Sequence, residues 1–286
     1  MKRYLLLAFA FLAHVILLAK SDDIRVMSFN IRRSSPSDGG EYSWISRKAP
    51  CVKAIKKEDP DLLGLQEASY EHTSYLLTEL PRYQIVDRHD KAGDLEPILE
   101  ANNNPILYRA DKFELLNYGS FWLNDDQTML KKGWDASMVR NATWVKLRVK
   151  KSGLILFYFN THFDENGSVA REESAKLMAA KIKEIAGDDA IVFLGGSLSM
   201  PSEQKAMMFL NDYMRAARAS AKKPDKAATY NGFGKNPKNW NDHLFFRNAE
   251  IKSFEVLDGD KYGVKYISDH YPILSDFKIS SPKPKK

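Results

Sequence analysis

Ile191-Val192-Phe193-Leu194-Gly195-Gly196-Ser197-Leu198-Ser199-Met200-Pro201 decides how the rest of the chain is read. Its first four residues are apolar and suit a buried strand, which then runs into a turn of small residues. Upstream, Ala175, Leu177, Met178, Ala180, Ile182 and Ile185 repeat at helical spacing and predict a helix over 171–186. Further helices are expected over 44–57, 70–80 and 203–217. Strands are expected at 24–30, 61–66, 83–86, 105–108, 113–116, 142–149, 154–160, 243–246, 254–257 and 271–277. Several of these strands follow one another without a helix, so their pairing is mixed or antiparallel. The pattern predicts an α/β fold: a four-layer sandwich of two packed mixed or antiparallel β-sheets flanked by helices.

Lys2 and Arg3 precede an apolar run from Tyr4 to Ala19, and Ala19-Lys20-Ser21 fits a signal-peptidase site. The run is shorter than the ~20 residues of a membrane span. A signal peptide over 1–21 and a secreted or periplasmic protein are therefore expected, with a retained N-terminal anchor as the rival. One domain over 22–279 and a flexible basic tail over 280–286 complete the organisation. The formal charge of +6 misleads, because three cations lie in the leader and three in the tail. The body between them is formally neutral, whereas nucleic-acid binders carry a basic footprint. Cys51 is the only cysteine, so no internal disulfide forms, and it reads as a small buried apolar group.

Polar residues recur at the ends of the expected strands: Asn30, Gln66-Glu67, Asn160-Thr161-His162, Asp242-His243 and Ser268-Asp269-His270. Strand ends share one rim of a sheet, so these groups could line a single cleft. A carboxylate such as Glu67 suits a hard divalent cation, Mg²⁺ first and Mn²⁺ next. One histidine could take a proton from water, oriented by a carboxylate, and another could donate to a phosphate oxygen. Each residue also has a plain structural reading, as a cap, a turn or a buried hydrogen bond. Their joint occurrence in order is what points to chemistry.

From Ile24 to Phe277 the chain resembles the endonuclease/exonuclease/phosphatase family. Met27-Ser28-Phe29-Asn30-Ile31-Arg32 resembles the family's opening strand. Leu65-Gln66-Glu67 resembles its metal motif, implying Glu67 as ligand with Asn30 beside it. Asn160-Thr161-His162-Phe163-Asp164 resembles the phosphate-contacting motif, implying substrate binding by Asn30, Asn160 and His162. Ser268-Asp269-His270 resembles the closing motif, implying His270 as general base, Asp242 as its orienting acid and Asp269 in the same catalytic set. Trp44, Arg47, Gly133-Trp134-Asp135 and Arg140-Asn141-Ala142-Thr143-Trp144 resemble a bacterial secreted branch.

The departures fall in the opening stretch. Where the family turn reads Gly-Asp-Phe-Asn, Gly196 and Leu198 stand at the expected acid and amide. Asn102 replaces an acid that often precedes the Pro-Ile-Leu-Tyr strand, and Trp240-Asn241 replace an Arg-Ile pair. The resemblance implies metal-dependent hydrolysis of phosphoesters, and the replacements predict that turnover is weak or lost. An active Mg²⁺-dependent esterase with a rearranged site and a non-catalytic binding protein are the alternatives. A monomer acting on a phosphate-bearing small molecule or lipid head group is expected, rather than one acting on long nucleic acid.

Overall fold

A computed structural model describes residues 20–87, 103–201, 204–235 and 239–281. Most of the expected leader, Asn102 and the end of the basic tail lie outside them. In chain order the strands are β1 (Ser21–Asn30), β2 (Leu62–Gln66), β3 (Tyr83–Val86), β4 (Ile106–Arg109), β5 (Phe113–Trp122), β6 (Asn141–Val149), β7 (Ile155–His162), β8 (Ile191–Ser197), β9 (Arg215–Ala216), β10 (Asp242–Arg247), β11 (Ala249–Val256) and β12 (Ile273–Ser280). The helices are α1 (Trp44–Glu58), α2 (Tyr70–Glu79), α3 (Ser168–Ala186), α4 (Met208–Asn211) and α5 (Ala217–Ser220).

Two six-stranded sheets result, ordered β11-β12-β1-β2-β4-β3 and β5-β6-β7-β8-β10-β9. Each has one parallel pair, β1 with β2 and β7 with β8, and antiparallel neighbours elsewhere. Parallel strands need a crossover. α1 supplies it in the first sheet and α3 in the second. The Ser43 side chain accepts from the Ser46 amide to start α1, and Asp59 in the left-handed region ends it. α3 has no cap of its own, and the remote Asp135 carboxylate accepts from the amides of Val169 and Ala170 instead.

The alternation of side chains divides the core into layers. Ile24, Val26, Leu62, Tyr158, Phe193 and Phe277 meet between the sheets. Phe29, Leu63 and Leu65 turn the other way, towards α1 and α2. Val192, Leu194 and Leu198 turn towards α3. Cys51 is buried, its Sγ 3.3 Å from the Ile267 carbonyl.

The expected helix over 203–217 is absent among its described residues. A 3-10 turn, the single turn of α4 and β9 stand there. β9 covers the free edge of β10, pairing Ala216 with Phe245 and Arg215 with Phe246. Satisfying that edge outweighs local helix propensity. β5 runs well past Leu116 to Trp122, through an irregularity between Leu115 and Asn117. No helix among the described residues is long and apolar enough to cross a membrane.

Candidate active site

The cleft lies at the carboxyl ends of the two parallel strand pairs, where α/β sheets commonly place ligands. Glu67 follows β2 directly and sits in the left-handed region at φ 58°. That conformation costs a residue with a side chain about 1–2 kcal/mol. Two hydrogen bonds fix its buried carboxylate: Oε1 accepts from Asn30 Nδ2 at 3.1 Å, and Oε2 accepts from the Arg33 amide at 3.2 Å. Burial pushes this carboxyl up, but charge on His162, the Asn30 hydrogen bond and charge on His270 together bring it down to about 2. Burial keeps His162 itself neutral near neutrality, so Asn30, Arg33 and His270 hold the anion there.

His162 ends β7 almost wholly buried. Arg140 Nη1 lies 3.1 Å from its Nδ1, and Arg140 Nε donates to Asp164 Oδ2 at 3.2 Å. Arginine only donates, so Nδ1 accepts and the neutral ring carries its proton on Nε2. Burial, then the Arg140 charge, hold this histidine down at about 3. Its Nε2 lies 3.8 Å from Glu165 Oε1. Because Nε2 bears the proton, it is a hydrogen-bond donor into the cleft and no metal ligand.

Asp242 opens β10 and its Oδ2 accepts from His270 Nδ1 at 2.8 Å. Burial opposes charge on His270, yet Asp242, Asp269 and Glu67 outweigh it and raise the histidine to about 9. Tyr230 covers the ring at 4.8 Å between centroids. Asp269 Oδ2 lies 3.3 Å from Arg32 Nη1, and burial first, then Glu67, push its carboxyl up. Glu67, His162, Asp242, Asp269 and His270 are thus buried close enough together to act on one another's charge.

Three expected residues are placed differently. Asn160 is fully buried between the sheets. Its Nδ2 donates to the carbonyls of Leu65 and Pro105, and its Oδ1 accepts from Gln66 Nε2 at 2.7 Å. Both donors are spent on joining the sheets, which leaves none for substrate. Gly196 and Leu198 face away from the cleft. Ser197 pairs with His162 on one side and Asp242 on the other, and paired residues share a face. Its neighbours Gly196 and Leu198 must then point to the opposite face. Leu198 packs there with Phe163, Ala175 and Met178. A Cβ on Gly196 would meet Leu198 and the Thr161 carbonyl oxygen. The cleft-facing residue is Ser197, followed by Ser199 in the left-handed region at φ 55°. A side chain at 197, one position later than Gly196, is therefore the one that shares a face with His162 and Asp242. Ser197 Oγ is buried there without a hydrogen-bond partner among the described residues.

No family model matches the sequence. The fold superposes on a crystal structure of the endonuclease/exonuclease/phosphatase from Bacteroides vulgatus with TM-score 0.79 and 30% identity, covering 90% of this chain and 98% of that one. The chain belongs to the endonuclease/exonuclease/phosphatase family. It is also similar to the mannosyl-6-phosphatase Bt3783 of Bacteroides thetaiotaomicron, with TM-score 0.80 and 25% identity over 89% of this chain and 99% of that one. Among curated proteins, Nocturnin of Drosophila melanogaster is 24% identical over 92% of this chain and 48% of its own length. The chain spans about half the length or less of the first curated relatives it matches.

Several cleft residues escaped the sequence reading. Glu165 and Tyr230 carry no spacing signal, because loops bring them to the rim. Arg140 carries only a resemblance in the sequence, and the tautomer it imposes on His162 depends on a contact between residues 22 apart. Ser197 was legible in principle from the period-2 alternation of Ile191, Phe193 and Gly195.

Proposed function

We propose that the cleft binds a divalent cation together with a phosphate ester, and that hydrolysis there is weak or lost. Convergence of Glu67, His162 and the Asp242–His270 pair at one set of strand ends carries this reading. Glu67 fits a hard cation, since it presents a buried, ionised carboxylate and no soft or nitrogen donor competes for the ion. Glu67 would hold Mg²⁺ or Mn²⁺, with Asn30 orienting it. Such an ion offsets charge building on a phosphoryl oxygen. His162 Nε2–H donates to another phosphate oxygen, and His270, steadied by Asp242, holds a proton at the position facing the attacking water or leaving group. Ser197 supplies no negative charge where the family has an acid, and losing one catalytic group commonly costs ~10²–10⁴-fold in rate.

The neutral body favours small phosphate esters or lipid head groups over long nucleic acid. Similarity to a mannosyl-6-phosphatase makes hexose 6-phosphates the first substrates to try. A secreted or periplasmic setting, from the expected leader, belongs to the same proposal. Hydrolysis of hexose 6-phosphates and bis(p-nitrophenyl) phosphate with Mg²⁺, by wild type and by Ser197→Asp/Ser199→Asn, tests it. A gain on the order of 10²-fold in the double variant is expected. A folded double variant as inert as wild type refutes the assignment of the defect. A second reading, an active esterase with a rearranged ion site, is favoured by the Glu165 carboxylate at the rim. Brisk wild-type turnover, abolished by chelator and by His270→Ala, would establish it.

A further inference from the structure

The loop after β7 brings to the cleft an acid that no motif assigns. Asp164 braces this loop: its carboxylate accepts from the amides of Asn166 and Gly167 at 3.1 and 2.9 Å and from the Ser137 hydroxyl. Arg171 Nη1 donates to the carbonyls of Asp164 at 3.0 Å and Glu165 at 2.8 Å. The main chain of Glu165 is thereby fixed, while its side chain, 60% exposed, reaches back over His162. Potential ligand atoms of Glu67, His162 and Glu165 all lie within 4.8 Å of one another. Two oxygens bound to one hard cation at about 2.0–2.6 Å are at most about 4–5 Å apart, so both carboxylates reach a common ion. The proton on His162 Nε2 excludes that nitrogen and leaves the two carboxylates as the ligands.

We infer that Glu165 is a ligand of the cation held by Glu67, supplying from the β7–α3 loop a carboxylate that the end of β8 lacks. The inference rests on the proposed cation site and names its second acid. A buried oxygen points independently to an occupant of the same cleft. Ser197 Oγ has no hydrogen-bond partner among the described residues, and the water shell of a bound cation would satisfy it. His162 remains free to donate to the phosphate.

Titration with Mn²⁺, followed by calorimetry and by the loss of the free-ion paramagnetic resonance signal, reads ion binding without any substrate. Wild type is expected to bind Mn²⁺, Glu67→Gln to lose binding, and Glu165→Gln to bind at least about tenfold more weakly. Glu165→Asp should fall between wild type and Glu165→Gln. If Glu165→Gln binds within twofold of wild type while Glu67→Gln does not bind, Glu165 is no ligand and the proposed function stands. If wild type takes up no Mn²⁺, the cation site itself falls, and Glu165 with it.

Discussion

Gly196 and Leu198 can be exchanged for the family's acid and amide as readily as Ser197 and Ser199 can, and the two pairs of substitutions should behave in opposite ways. In Gly196→Asp/Leu198→Asn, the new Cβ at 196 must fit where the Thr161 carbonyl oxygen already lies, because that backbone has nowhere to go. Overpacking of this kind costs about 1–3 kcal/mol. Leu198 is fully buried among Phe163, Ala175 and Met178. Truncating such a leucine costs about 2–5 kcal/mol, and the buried amide adds more. Neighbouring sites do not add cleanly, so about 4 kcal/mol is a fair lower figure. At about 2–4 °C per kcal/mol for a chain of this size, Tm should fall by roughly 8–16 °C. Ser197→Asp/Ser199→Asn removes no hydrogen bond made by Ser197 Oγ and places asparagine in a left-handed conformation that it tolerates. Its smaller loss of stability, caused by a carboxylate beside Asp242, should be recovered on adding Mg²⁺. Differential scanning calorimetry with and without Mg²⁺ decides between the two pairs. A Gly196→Asp/Leu198→Asn protein as stable as wild type, alongside a collapsed Ser197→Asp/Ser199→Asn protein, would refute the register.

Two other perturbations probe the frame around the cleft. Asn160→Ala removes hydrogen bonds to the carbonyls of Leu65 and Pro105 and from Gln66, while Gln66 Nε2 keeps Ser28 Oγ and the Gly64 carbonyl and Pro105 keeps the Leu65 amide. Urea unfolding should show a loss of about 1–3 kcal/mol with phosphate affinity of the folded protein kept; unchanged stability with lost affinity would return Asn160 to substrate binding. His72 is fully buried, and burial, then the Arg47 charge, hold it at about 4. Its folded value lies below the unfolded ~6.5, so its contribution is complete above pH 6.5 and is lost as pH falls towards 4, by up to about 3 kcal/mol. Urea unfolding at pH 7 and 4.5 should show a larger acid loss in wild type than in His72→Gln; equal losses would contradict this.

The sandwich was legible because apolar strands dominate the sequence, and because consecutive strands without helices require antiparallel pairing. The placement of the polar groups was legible wherever one follows a strand directly, as Glu67 follows β2 and His162 ends β7. Adjacent glycines at 195 and 196 defeated the reading of β8. Either can stand for the family glycine by type, and only pairing with His162 and Asp242 shows that Ser197 faces the cleft. Asn160 looked available because a strand-end amide is the same residue type whether it meets substrate or joins two sheets. Its choice depends on Leu65, Gln66 and Pro105, far away in sequence. The segment after Pro201 has helical composition, yet the free edge of β10 draws Arg215–Ala216 into the sheet.

Calorimetric titration of the wild-type chain with inorganic phosphate, with and without Mg²⁺, meets the central claim most directly. Phosphate is expected to bind more tightly when Mg²⁺ is present, and the Mg²⁺-dependent gain should vanish in Glu67→Gln. Phosphate affinity that is absent, or indifferent to both Mg²⁺ and Glu67, would contradict the account.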